Sequence, residues 1–147
     1  MSLRCTTALL TLATPHFAAL TQFYSQLLNQ QPAVLRPNVY AEFHLPGLKL
    51  GIFRPKETPH SRSDFGGSAQ SNAELTSKPL PTPHSPTSMS LCLEVENLEG
   101  AIAHLTQLGY PPPGAIITAS HGREVYAYDP DGNWLILHQT TITYNEG

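Results

Sequence analysis

The chain has 147 residues and a formal net charge of -3; 14 residues are proline and only 13% are charged, against about 5% and about 25% in average proteins. That length suits one domain or two small modules, and 40% hydrophobic residues can bury a core, which excludes wholesale disorder. The acidic balance argues against a nucleic-acid partner, because phosphate recognition needs a concentrated basic surface.

Arg4 precedes a short apolar stretch over residues 8–13, below the usual length of a signal-peptide core. No run of about 18 apolar residues exists, so no membrane partner is expected. The two cysteines, Cys5 and Cys92, lack metal-finger spacing, which points to a reducing, cytoplasmic setting; a single Cys5–Cys92 bridge is the alternative.

Residues 3–13, rich in Thr and Leu, predict a strand. Thr14-Pro15 then reads as a helix cap with proline at the first helical position. Phe17, Leu20, Phe23, Tyr24, Leu27 and Leu28 recur at helical spacing. Residues 33–45 and 48–53 read as strands joined through Pro46-Gly47.

Residues 54–88 stand apart. They hold six prolines, seven serines and four threonines, with Phe65, Leu75 and Leu80 as the only large apolar residues. Such a stretch buries too little apolar surface to offset its ordering entropy, so it reads as a flexible linker or a lid.

After it, Met89, Leu91, Leu93 and Val95 alternate with Ser90, Cys92 and Glu94, the pattern of a half-buried strand. Asn97 caps a second helix whose stripe is Leu98, Ala101, Ile102, Leu105 and Leu108, and Gly109 ends it. Residues 115–120, 123–129 and 133–140 read as strands, the last two joined by Asp129-Pro130-Asp131-Gly132, a hairpin signal. The halves resemble each other. Val39-Tyr40-Ala41 is echoed by Val125-Tyr126-Ala127, and a one-residue slip brings Gly47 opposite Gly132. Each unit then has a sheet with one helix on one face, and its twin supplies cover for the other.

Three stretches carry a family resemblance: Phe23-Tyr24-Ser25-Gln26-Leu27-Leu28, Leu93-Glu94-Val95-Glu96-Asn97-Leu98, and Tyr128-Asp129-Pro130-Asp131-Gly132-Asn133. With the duplication, the chain resembles the glyoxalase / bleomycin-resistance / dioxygenase superfamily, the vicinal oxygen chelate proteins. The resemblance implies an α+β fold over residues 1–147. Two paired βαβββ modules, residues 1–53 and 89–147, would flank the linker, with their sheets curled around a ligand cleft. It also implies small-molecule binding and a homodimer.

Enzymes of this family hold a divalent ion with His, Glu or Gln on the first and last strands of each module. Carried over one at a time, those positions fall on Leu9, Gly51, Ser90 and Ile136. Leu and Ile offer no lone pair, glycine no side chain, and a neutral serine hydroxyl ligates poorly. No metal and no cofactor are therefore expected at the usual place. A displaced site drawn from His138, Glu94, Cys92 or His44, with Glu42 beside His44, is the alternative.

Alternation puts Trp134, Ile136 and His138 on one strand face. The predicted cleft is lined by Leu9, Cys92, Trp134, Ile136 and His138, with Glu94 and Arg123 as polar contacts. His121-Gly122-Arg123 sits at a turn feeding a strand that borders it. Arg123 is the only arginine after the linker, and its fork suits a carboxylate or phosphate. His60 and His84 fall in the linker, His16 in the first helical turn, and His104 on the second helix, partly exposed.

The reading is a metal-free protein that binds a small hydrophobic or aromatic molecule. Two alternatives stand. One is a lyase, isomerase, thiol transferase or ring-cleaving dioxygenase, working through displaced metal ligands or through acid–base chemistry by His138 with Glu94. The other is an interaction module with the proline-rich linker as its arm.

Overall fold

The computed structural model describes residues 3–56 and 89–141. The expected linker lies almost wholly outside the described residues. The element order is β1 (Leu10–Ala13), α1 (Phe17–Leu28), β2 (Val34–Arg36), β3 (Tyr40–Leu45), β4 (Leu48–Phe53), β5 (Leu91–Glu94), α2 (Leu98–Gln107), β6 (Ile117–Ala119), β7 (Gly122–Tyr128) and β8 (Trp134–Thr140). This is the α+β, twice-repeated architecture read from the sequence. The strands form two four-stranded mixed sheets, ordered β1-β4-β3-β2 and β5-β8-β7-β6.

Two compact units result. Among the described residues, one holds 3–17 and 32–56, and the other holds 18–31 and 89–141. So α1, encoded in the first repeat, counts with the second sheet. The expectation of one helix per sheet, each from its own repeat, is corrected. The reason is chemical: Tyr24 and His104 tie α1 to residues of the second unit.

In the first unit, β1 runs parallel to β4, with Leu10 opposite Leu50 and Leu12 opposite Ile52. Leu50, Ile52, Ala41 and Phe43 are buried on that face. The strand begins at Leu10 rather than residue 3, because its partner turns back at Gly47 (φ +76) and leaves residues ahead of Ala8 nothing to pair with. The expected strand over 33–45 is broken in two. Pro37 lacks an N–H and Asn38 sits at φ +63, so the chain folds back as a β2–β3 hairpin with Arg36 opposite Tyr40.

In the second unit, Leu91, Leu135, Leu137, Val125 and Ala127 form the buried face. Helix α2 starts as expected, with Gly100 N donating to the Asn97 side chain at 3.0 Å, and Gly109 at φ +95 ends it. Leu98 and Leu105 are buried, each contributing roughly 1.5–3 kcal/mol of burial. Helix α1 starts two residues later than the sequence suggests, at Phe17. Thr14 Oγ1 accepts from His16 N at 2.9 Å and forms the turn before it. Phe17, Leu20, Phe23 and Tyr24 are buried as the stripe predicts.

The repeat in the text and the repeat in space differ. Ala41 pairs Ile52 and Val125 pairs Leu137, so Tyr40-Ala41 takes the place of Glu124-Val125, not of Tyr126-Ala127. The tight Pro46-Gly47 connection and the longer loop at Asp129 set different registers.

That longer loop is built around one carboxylate. Asp129 is buried. Its Oδ1 accepts from Asp131 N and Asn133 N, both at 2.9 Å. Its Oδ2 accepts from Asn133 Nδ2 at 2.8 Å and from Tyr24 Oη at 2.7 Å. Two of the three stretches that carry the family resemblance thus bond to each other. His104 Nε2 also donates to the Gln26 carbonyl at 2.7 Å, satisfying an acceptor near the end of α1.

Candidate functional site

The second sheet has one buried face and one half-exposed face. Alternation places Cys92 and Glu94 of β5, Trp134, Ile136 and His138 of β8, and Glu124 and Tyr126 of β7 on the half-exposed side. The register confirms it: Cys92 opposes Ile136, Glu94 opposes His138, and His138 in turn opposes Glu124. Five of the seven residues expected in the cleft therefore share one face.

The apolar part is aromatic. Tyr126 and Trp134 meet edge to face with ring centroids 5.3 Å apart, a favoured quadrupole geometry. Trp134 Nε1 is shut from solvent without a hydrogen-bond partner among the described residues. Ile136 lies beside them, opposite Tyr126.

The polar part is an ordered chain of groups. Glu94 Oε1 accepts from Thr140 N at 2.6 Å and from Thr140 Oγ1 at 2.5 Å. Glu94 Oε2 lies 2.6 Å from His138 Nδ1, and His138 Nε2 lies 3.2 Å from His121 Nδ1. The hydrogen bonds from Thr140 first, then His138, draw the Glu94 carboxyl down to about 2. Burial first, then the charges of Glu94 and Glu124, push the Cys92 thiol up. Cys92 and Cys5 are both free.

Arg123 is corrected. It alternates with Glu124 and so occupies the helix-covered face, opposite Gln139. Its guanidinium grips the Glu99 carboxylate at the start of α2, with Nη2–Oε2 at 3.0 Å, and reaches Gln139 Oε1 at 3.2 Å. That pair holds Glu99 down at about 2. Arg123 ties α2 to the sheet and is not on the face of His138.

Leu9 belongs to the first unit. It lies ahead of β1, exposed, and a Cβ added at Gly51 would meet Leu9 Cδ1 at 3.2 Å, Thr11 Cγ2 at 3.1 Å and Tyr40 Oη at 3.1 Å. Gly51 is thus covered by three neighbours. Tyr40 donates to Glu42 at 2.6 Å, and His44 Nε2 lies 2.7 Å from the other Glu42 oxygen. Burial first, then this carboxylate, pushes the Tyr40 hydroxyl up to about 12.

Leu9, Gly51, Ser90 and Ile136, onto which the resemblance carries the ligand positions, offer no imidazole, carboxylate or thiolate to a divalent ion. Among the described residues no three His, Cys, Asp or Glu are grouped to hold one elsewhere. His121, Glu124 and Tyr126 were absent from the predicted lining. Alternation back from the Asp-Gly hairpin marks Glu124 and Tyr126; only the tight turn after β6 brings His121 to His138.

The glyoxalase/bleomycin resistance protein/dioxygenase superfamily model matches residues 6–137. The chain belongs to this superfamily. No curated protein matches the sequence. Solved structures share the fold at low identity. A fosfomycin resistance protein, FosX, from Listeria monocytogenes is 14% identical with a TM-score of 0.63, covering 95% of this chain and 97% of that one. A glyoxalase/bleomycin resistance protein/dioxygenase from Nocardioides is 20% identical with a TM-score of 0.61, covering 100% and 91%. A bleomycin resistance determinant encoded on transposon Tn5 is 18% identical with a TM-score of 0.53, covering 94% and 100%. No helix among the described residues is long and apolar enough to cross a membrane.

Proposed function

We propose that this superfamily member works without a metal and binds a small hydrophobic or aromatic molecule on the half-exposed face of the second sheet. The observation that carries the reading is the Tyr126–Trp134 ring pair, standing beside Ile136 and the Glu94–His138 pair on a sheet face that the core does not cover. Aromatic walls with a few fixed polar groups are the usual make-up of a small-molecule site. The occupants of the four family metal positions support the metal-free part, since they supply no usable ligand set.

Trp134 is the only tryptophan of the chain, so its fluorescence reports on this face alone. Thermal-shift screening against aromatic and glycopeptide compounds should find a ligand that raises the Tm and quenches Trp134. A ligand at 100 times its Kd adds about 2.7 kcal/mol to stability. Trp134→Ala should remove that stabilisation while far-ultraviolet circular dichroism stays native. Stabilisation that survives both Trp134→Ala and Tyr126→Ala defeats the proposed seat. Stoichiometric Ni, Zn, Mn or Fe in protein purified without chelator defeats the metal-free part. Light scattering reads the homodimer that this reading includes.

A further inference from the structure

Glu94, His138 and His121 stand in line, carboxylate to imidazole to imidazole, at 2.6 Å and 3.2 Å. We infer that this line is a proton relay that makes His121 a general base toward a ligand on the Trp134 face. The inference rests on the ligand seat proposed above and adds an activity to it.

The network decides the tautomers. An ionised carboxylate only accepts, so His138 Nδ1 carries a proton and donates to Glu94. In neutral His138 the Nε2 nitrogen then accepts, and His121 Nδ1 must be the donor. That leaves the lone pair of His121 on Nε2, for which no partner is found among the described residues. The order is that of a carboxylate–imidazole pair backing a third group, with a second imidazole as the third group.

The parts are held in place. Glu94 is fixed by two hydrogen bonds from Thr140. The His138 side chain is only 15% exposed. Gly122, at φ +152, lets its ring lie close, since a Cβ there would sit 3.0 Å from His138 Cε1 and Nε2. His121 occupies the tight turn between Ala119 and Gly122, and its carbonyl accepts from Thr141 N at 3.3 Å. The other titratable groups facing the relay are Glu124 of β7 and Cys92 of β5. Arg123, the nearest cation in sequence, is on the opposite face.

The proton balance closes without a metal. A ligand C–H or O–H bond breaks, its proton goes to His121 Nε2, and the electron pair stays on the ligand. His121 becomes an imidazolium whose Nδ1–H still donates to His138, and Glu94 compensates the charge. Return of the proton from His121 Nε2 to the product, or to water, resets the pair.

The probe is 5-nitrobenzisoxazole, a planar aromatic that suits the Tyr126–Trp134 pair. Loss of its C3 proton breaks the ring N–O bond and releases a coloured cyanophenolate. The full-length protein should accelerate this ring opening. His121→Gln should lower the rate at least about tenfold, since a positioned base contributes on the order of 100-fold or more. Glu94→Gln and His138→Gln should each lower it several-fold. His44→Gln, whose ring pairs Glu42 in the first unit, should leave it unchanged. An unchanged rate in His121→Gln, or an equal loss in His44→Gln, overturns the relay. Imidazole nitrogen chemical shifts of the unmodified protein test it without variants: neutral His121 must be protonated at Nδ1, and an Nε2–H tautomer overturns it. Quenching of Trp134 by the probe without His121-dependent turnover keeps the ligand seat and removes the relay. Turnover that depends on His121 without quenching does the reverse.

Discussion

At the scale of residues, Asp129 and Tyr24 explain why two distant motifs accompany each other. Burial pushes the Asp129 carboxyl up, while hydrogen bonds from Tyr24 and Asn133 oppose it. Burial, then Asp129, pushes the Tyr24 hydroxyl well above its ordinary value. A bond from a buried hydroxyl to a carboxylate contributes about 1.5–3 kcal/mol. Tyr24→Phe is therefore expected to lose about that much stability. The check is urea unfolding, where the midpoint should fall with the slope unchanged. Asp129→Asn should cost more, because an amide nitrogen would confront the Tyr24 and Asn133 donors. Arg123 gives the contrasting lesson. Its residue type suits a ligand contact, yet strand parity turns it to Glu99.

At the scale of elements, the β6–β7 hairpin positions the relay. A residue with a Cβ at Gly122 is strained twice: by its φ of +152 and by collision with the Gln139 carbonyl. Strained backbone positions of this kind cost about 1–3 kcal/mol. Gly122→Ala should thus lose about 1–3 kcal/mol of stability, read as a lower urea midpoint. It should also displace the His138 ring, read as a changed nitrogen shift at His138. The helices teach a related point. Both stripes and the two ends of α2 are readable, because Asn97, Gly109 and the apolar spacing are local signals. That α1 joins the second unit was not readable, because it depends on Tyr24 meeting an aspartate 105 residues away.

At the scale of the whole molecule, acid should test how the charges hold the fold. Glu94 and Glu99 both lie near 2 in the fold, below the ordinary range near 4.3. Groups shifted down contribute stability above their unfolded values and lose it as pH falls toward the folded ones. Asp129 is shifted up, so its contribution has the opposite sign, being present at low pH and lost as pH rises through its folded value. Urea midpoints measured from pH 7 down to pH 3 should therefore fall below about pH 4.5. The fall should be shallower in Glu94→Gln and in Glu99→Gln, and steeper in Asp129→Asn. An acid limb identical in all four proteins would contradict these assignments.

The sequence by itself determined the two-fold repeat, the α+β class, the helix stripes and the identity of five residues on one sheet face. These follow from period, parity and turn chemistry, which act over a few residues. The two sheets also share one offset, since Thr11 opposes Gly51 as Cys92 opposes Ile136. Tertiary structure alone decided the rest: the split of residues 33–45 at Asn38, the shift that matches Tyr40 with Glu124, and the meeting of His121 with His138. Each depends on a hairpin length or a pairing between distant strands, and a one-residue change in register reverses every side chain that follows.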